Sequence, residues 1–110
     1  MDKPSVFRVD MTESSRKNFY RLERTVRGFS NHRRIEILLL LREQRNISVS
    51  DIAKELNILL KTASAHVNRL ALAGLVWKHS DGSSVICELS ELGEKTVDFL
   101  EDIAEKFNKK

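Results

Sequence analysis

Cysteine, proline and long apolar runs are almost absent from this sequence. Cys87 is the single cysteine and Pro4 the single proline among the 110 residues. One cysteine cannot form an internal disulfide, which fits a reducing compartment. Residues 35–41 are strongly apolar, but this run is too short to span a bilayer and contains Glu36. We therefore expect one cytoplasmic domain without a membrane-spanning segment.

The residues that catalysis or metal binding would need do not form any known pattern. There is no glycine-rich phosphate loop and no paired nucleophile and base, so we do not expect an enzyme. His32, His66, His79 and Cys87 lack the spacing of metal ligands. No cofactor or metal ion is expected. We interpret Cys87 as a small core residue rather than a redox centre, because most free cysteines are buried and inert.

Charge is distributed unevenly along the chain. Residues 1–45 carry 11 Lys and Arg against 6 Asp and Glu, whereas residues 87–110 carry 4 against 7. A basic front half and an acidic end fit a protein that presents one face to a polyanion.

Residues 48–76 contain two short helical patterns separated by only two residues. Their apolar positions recur at spacings of three and four, and are Ile52, Ala53 and Leu56, then Ala63, Val67 and Leu70. This arrangement predicts a helix-turn-helix over about residues 50–74. Its second helix, about residues 60–73, is the element that would enter a DNA major groove.

A β-hairpin and a final helix are predicted after the helix-turn-helix. Residues 75–89 form two strand patterns joined through Asp81 and Gly82, a strong hairpin signal. The expected cross-strand pairs are Val76 with Cys87, Trp77 with Ile86, and Lys78 with Val85. Ser90 is then expected to cap a helix over residues 90–108.

Two helices are predicted before the helix-turn-helix. The first runs over about residues 12–27, with Asp10 and Glu13 as a capping box and Gly28 as its end. The second begins at Ser30 or Asn31, continues to about residue 44, and is apolar all round, which predicts burial on all sides. Residues 1–11 read as an arm, either disordered or laid down as an edge strand. The expected fold is therefore mainly α with a small β-hairpin wing (α+β), in one domain over residues 12–110.

The recognition helix and the wing resemble the winged-helix regulators of the ArsR/MarR type. The resemblance covers roughly residues 30–107, and its motif residues are Thr62, Ser64, His66, Val67, Leu70, Ala73, Gly74, Leu75 and Val76. It implies a sequence-specific DNA-binding regulator, more often a repressor, acting as a homodimer on an inverted repeat. Metal-sensing relatives carry a Cys-x-Cys pair where this chain has Ser48 and Ser50, and its final helix has no histidine, so we exclude the known kinds of metal sensor.

The candidate DNA-binding residues lie opposite the apolar face of the recognition helix or on the wing. They are Lys61, Thr62, Ser64, Ala65, Asn68, Arg69 and Lys78. Thr62 could instead bond the backbone at the helix start, and His66 is interpreted as a partly buried structural residue. Because Leu59, Leu60 and Ala65 are apolar and the wing lacks arginine, we expect modest affinity with a shallow salt dependence.

The resemblance places a dimer interface on the terminal helices. The candidate residues are Phe19, Leu22, Val26, Leu92, Phe99, Ile103 and Phe107. On the opposite side of the first helix, Lys17, Arg21 and Arg24 form a basic face. We favour a solvated surface for this face over contact with DNA phosphate.

Two other functions remain open at this point. In the first, the fold is a protein-interaction module whose apolar surface would comprise Leu59, Leu60, Leu72, Trp77 and Ile86. In the second, Cys87 makes the protein a thiol-switched repressor. The residues name no small-molecule effector, operator sequence or regulated gene.

Overall fold

The computed structural model describes residues 12–108, so the arm predicted over residues 1–11 lies outside the described part of the chain. The elements are α1 Glu13–Phe29, α2 His32–Glu43, β1 Ile47–Ser48, α3 Val49–Leu56, α4 Leu60–Leu72, β2 Val76–Asp81, β3 Ser84–Leu89 and α5 Glu91–Phe107. The three strands form one antiparallel sheet in the order β1-β3-β2. This is the predicted winged helix-turn-helix class. Within residues 12–108, none of the helices combines the length and apolar character needed to cross a membrane.

The first helix begins close to the predicted start, but its capping residue and its C-terminal end differ from the prediction. Thr12 caps α1, its Oγ1 accepting a hydrogen bond from the Ser15 amide at 3.2 Å; Asp10 lies outside the described residues. The helix then continues through Gly28 to Phe29. Gly28 is buried against α4, where a Cβ atom would lie 2.3 Å from the Ala73 Cβ. The glycine therefore permits a close helix contact and does not end the helix.

Asn31 caps α2, which confirms one of the two predicted capping residues. Its Oδ1 accepts hydrogen bonds from the Arg33 and Arg34 amides at 2.9 and 3.1 Å. Burial around α2 is less complete than predicted. Its fully buried residues lie on one side, and Ile35, Leu39 and Leu40 remain partly exposed in this single chain.

The turn between α3 and α4 is set by Asn57. This residue has a φ of 55°, the left-handed conformation that asparagine tolerates better than most residues. Its amide donates to the carbonyls of Ala53 and Lys54, which closes α3. At the other end of α3, the Ser48 Oγ accepts from the Asp51 amide at 3.0 Å. The predicted helix-turn-helix is confirmed.

The wing is present, but its predicted register was wrong by two residues. Val76 pairs with Leu89, Trp77 with Glu88, and Lys78 with Cys87. The turn consists of Gly82 and Ser83, because Gly82, with a φ of 67°, supplies the positive φ at the first central position of the turn. A shift of two residues keeps each side chain on its predicted face, since side chains in a strand alternate with period two.

The core lies where α2, α3, α4 and the sheet meet. Its buried apolar residues are Ile37, Leu38, Leu41, Ile47, Val49, Ile52, Ala53, Ala63, Val67, Leu70, Leu75, Val76, Cys87 and Val97. Strand β1, which was not predicted, contributes Ile47 and pairs it with Cys87 on β3. This pairing ties the start of the helix-turn-helix to the wing, and so fixes α4 relative to the hairpin.

An ion-pair cluster joins α2 to the acidic face of α5. Arg42 donates from Nε to Glu94 Oε1 at 2.9 Å and from Nη2 to Asp98 Oδ1 at 2.9 Å. It also reaches Glu101 at 3.4 Å, while Arg45 bonds Glu94 at 3.0 Å. The hydrogen bond to Asp98 contributes most to raising the pKa of Arg42. Three acidic side chains near the C-terminal end of the chain therefore neutralise arginines at the end of α2 and just after it.

Candidate nucleic-acid interface

Helix α4 has one buried face and one exposed face. Ala63, Val67 and Leu70 pack into the core, which leaves the opposite side to solvent. The exposed candidates on this helix are Lys61, Thr62, Ala65, Asn68 and Arg69; Ser64 is partly buried, and Lys78 is exposed on β2. The structure thus brings all seven predicted residues to one side of the molecule or to the edge of the adjoining wing.

A groove of about 350 Å³ separates α4 from the wing and from the start of α3. Its lining is mostly polar and includes Ser48, Ser50, Ser64, Asn68, Lys78, Ser83 and Ser84. Lys78 Nζ donates a hydrogen bond to Asn68 Oδ1 across this groove. Asn68 keeps its NH₂ group and the second lone pair of its oxygen for a partner, so in a bidentate contact to adenine it would share Oδ1 between the base and Lys78.

Helix α4 begins with two exposed leucines and has no side-chain cap. Leu59 occupies the capping position, and no side-chain hydrogen bond caps this helix. Leu59 is 75% exposed and Leu60 is 53% exposed. Thr62 lies inside the helix and does not cap it, and it is exposed like most of the neighbouring candidates.

Arg34 and His66 join α1, α2 and α4. Arg34 Nε donates to the Gly28 carbonyl at 2.7 Å, which places a cation at the C-terminal end of α1, where the helix dipole favours it. Arg34 Nη1 lies 3.4 Å from His66 Nδ1. Burial is the main cause that lowers the pKa of His66, and Arg34, His32, Arg33 and Arg69 lower it further. His66 is partly buried, as predicted, and sequence reasoning had no signal for its contact with Arg34.

The pH dependence of stability should report the role of His66. Its pKa is lowered from 6.5 in the folded protein, so below about pH 6.5 the unfolded chain binds more protons than the folded one. We expect the free energy of unfolding to fall as pH falls through this window, and to level off below the lowered pKa. His66→Gln should flatten this dependence in urea unfolding at pH 7.5, 6.5 and 5.5. His79→Gln, on the exposed wing, should not; an unchanged pH profile in His66→Gln would contradict the assignment.

Cys87 is fully buried, which confirms its interpretation as a core residue. Burial raises the pKa of its thiol to about 11, partly offset by Lys78. A protonated, inaccessible thiol is a poor nucleophile, so these properties favour an inert residue over a thiol switch. Among residues 12–108, no three His, Cys, Asp or Glu side chains are grouped so that they could hold a metal ion.

Most candidate dimer residues are exposed in the single chain. Leu22 and Val26 on α1 are 52% and 51% exposed, and Phe99 and Phe107 on α5 are 54% and 78% exposed. Leu92 and Ile103 are exposed beside them, whereas Phe19 is partly buried. These terminal helices therefore expose several large apolar side chains in the single chain.

Comparison with known proteins supports the same fold. Residues 31–78, which span the second helix to the start of the wing, match the family described as bacterial regulatory protein, arsR family. The fold is a winged helix-turn-helix, and over residues 31–78 the chain is similar to the ArsR family. This family consists of regulators and not of enzymes. No curated protein sequence matches the chain.

Three solved structures illustrate the similarity. A homodimeric winged helix-turn-helix DNA-binding domain from Mycobacterium bovis, described as a possible ArsR-family regulator, superposes with a TM-score of 0.81 at 23% identity, over 93% of this chain and 94% of that one. Reduced HlyU from Vibrio cholerae has a TM-score of 0.73 at 22% identity, over 84% and 97%. The repressor BigR from Xylella fastidiosa has a TM-score of 0.69 at 20% identity, over 89% and 97%.

Proposed function

We propose that this protein is a sequence-specific transcriptional regulator, acting as a repressor, whose homodimer binds an inverted repeat in double-stranded DNA. The observation that carries the proposal is the exposed polar face of α4, which lies beside a wing that supplies Lys78. The ArsR-type fold supports it, since a helix placed this way is the element that reads the major groove. A regulator of this kind would act in the cytoplasm, as the sequence predicts.

Each candidate residue has a role that follows from its chemistry. Lys61 and Arg69 would contact phosphate or guanine, and Thr62 and Ser64 would donate from hydroxyls to phosphate or base edges. Ala65 lies on the exposed face and would approach a thymine methyl group. Lys78, held by Asn68, would contact phosphate from the wing.

The homodimer is proposed from the apolar surface of the terminal helices. Leu22 and Val26 on α1, with Phe99 and Phe107 on α5, are each more than half exposed, and a second subunit would cover these apolar side chains. The similar domain from Mycobacterium bovis is homodimeric. A twofold pair would present two copies of α4 to half-sites about one helical turn apart. Any effector that changed the distance between the two helices would regulate binding.

Selection from a random duplex pool tests the proposal. We expect purified protein to enrich an inverted repeat at about 50 mM salt and to retain it, more weakly, at about 200 mM. The half-site spacing would give the distance between the two recognition helices. Failure to enrich any sequence, with all binding lost at the higher salt, would overturn the proposed function.

The exposure of Leu59, Leu60, Leu72 and Trp77 favours one second candidate, a protein-interaction module. The two functions respond differently to mutation. Leu60→Asp should abolish partner capture by an interaction module, which would show no sequence preference on DNA. Arg69→Glu should abolish operator binding by a regulator, while the dimer persists.

A further inference from the structure

A groove lined with arginines runs between α1 and the C-terminal half of α4. Two adjoining pockets of about 240 and 280 Å³ share Arg24, Leu72 and Ala73 in their lining. We use the name arginine groove for these pockets, whose basic residues are Arg21, Arg24, Arg27 and Arg69. The groove includes Arg21 and Arg24 from the basic face of α1, which was expected to be a solvated surface.

The two walls of the groove are held together by close packing at its base. Gly28 approaches Ala73 so closely that no other residue would fit without displacing a helix. Arg34 bonds the Gly28 carbonyl at 2.7 Å and also the Arg27 carbonyl at 3.4 Å. Arg34 of α2 thus holds the C-terminal end of α1 in place. As a result, the arginines of α1 lie beside α4.

The positive charge of the groove is largely uncompensated within the described chain. Among residues 12–108, Arg27 pairs with Glu23 at 3.2 Å, an exposed pair, and Arg21, Arg24 and Arg69 have no ion pair. No acidic residue lines either pocket. The acidic side chains Glu94, Asp98 and Glu101 of α5 are already engaged by Arg42. Repulsion from Arg69, after burial, lowers the pKa of Arg34, which agrees with an excess of positive charge at this end of α4.

The groove also adjoins the surface proposed to face DNA. Arg69 and Leu72 belong to the exposed side of α4 and to the lining of the groove. Any duplex seated along the exposed side of α4 would therefore bring its backbone towards α1. The guanidinium fork matches phosphate oxygens in a bidentate geometry, which an exposed lysine cannot reproduce.

We infer that the arginine groove binds a phosphodiester of the DNA that flanks the half-site read by α4, with Arg21 and Arg24 as the residues that α1 contributes. The inference rests on the proposed function. It adds a contact that carries no sequence information, because phosphate contacts fix position and affinity but do not distinguish bases. It also replaces the shallow salt dependence expected from the recognition helix and wing with a steeper one.

Titration of duplex binding against salt tests the inference. The variant is Arg21→Gln with Arg24→Gln, measured by fluorescence anisotropy on the enriched operator and on a random duplex between about 50 and 200 mM salt. We expect affinity at low salt to fall about tenfold on both duplexes, with the ratio between them unchanged. The slope of log K against log salt should become shallower by about 1 to 2, since each lost phosphate contact accounts for about 0.9.

A matched pair on the same helix separates a local contact from net charge. Arg16→Gln with Lys17→Gln removes the same two charges from α1 but from outside the groove lining, and should change the slope by much less. An equal change in both pairs would overturn the inference, because net charge alone would explain it. An unchanged slope in the groove variant would also overturn the inference. If that variant still bound the operator, the proposed function would not be affected.

In a dimer, the groove could instead receive an acidic surface of the second copy. The wild type and the groove variant test this alternative as well. Sedimentation velocity should show the groove variant as dimeric as the wild type. A variant that became monomeric would overturn the inference, because its weaker DNA binding would then come from loss of the dimer. Absence of an enriched operator for the wild type would instead contradict the proposed function itself.

Discussion

Replacing Ala65 with glutamate should abolish operator binding while the protein remains folded and dimeric. Ala65 lies on the exposed side of α4, so glutamate would create no clash in the core and would suit a helix. A carboxylate pointing at the DNA would meet like charge, which costs several kcal/mol per contact. With two copies in a dimer, we expect operator affinity to fall at least about a hundredfold.

Fluorescence anisotropy on the enriched operator measures this effect, and circular dichroism and sedimentation check fold and assembly. Asn46→Asp is the control, because it adds the same negative charge on an exposed loop that precedes β1. We expect it to change affinity less than about threefold, through net charge alone. Retention of full affinity by Ala65→Glu would mean that this side of α4 does not face DNA.

Replacing Phe99 with serine should convert the dimer to a monomer. Phe99 is 54% exposed in the single chain, so removing its ring changes the monomer core little. If the ring is buried between subunits, each copy contributes about 1.5–3 kcal/mol through its apolar area. The twofold axis doubles this loss, so the dimer dissociation constant should rise at least about a hundredfold. Operator affinity should fall with it, since two half-sites can no longer be bound together.

Sedimentation velocity over a range of protein concentrations measures the dissociation constant directly. Asp102→Ser is the control on α5, where it removes an exposed charged side chain and no apolar area. Its dissociation constant should stay within a few-fold of the wild-type value. A Phe99→Ser protein that remained a tight dimer would show that α5 does not form the interface through this residue.

Local signals in the sequence were sufficient for most of the fold. Asn31, Ser48 and Ser90 each cap a helix that follows them, because a short polar side chain bonds the first free amides whatever surrounds it. The apolar spacing of α3 and α4 likewise identified the buried face of each helix. Turn chemistry was more ambiguous at the wing, where Asp81-Gly82 and Gly82-Ser83 both place a glycine at a turn position. In the structure Asp81 pairs with Ser84, which places Gly82 and Ser83 in the turn.

The sequence identified the residues of the candidate interface, but it did not show which of them contact one another. Periodicity alone assigned Lys61, Ala65, Asn68 and Arg69 to the side of α4 opposite the core, and the structure places them on that exposed side. It could not place Lys78 against Asn68, since the two residues are ten positions apart and a turn lies between them. The basic face of α1 illustrates the same limit. Its residues were recognised, but their position beside α4 depends on the contact between Gly28 and Ala73.

The sequence by itself determined which segments are helical, which faces are apolar, and which family the helix-turn-helix resembles, because these properties arise from residues a few positions apart. Only the tertiary structure decided which charged side chains form ion pairs and which remain unpaired. It pairs the acidic side of α5 with Arg42 and sets Arg34 against the end of α1 and His66. Among residues 12–108, it leaves three of the four groove arginines without an ion pair, since only Arg27 has one. Electrostatic energy depends on distances between residues far apart in the chain, and only packing of the helices fixes those distances.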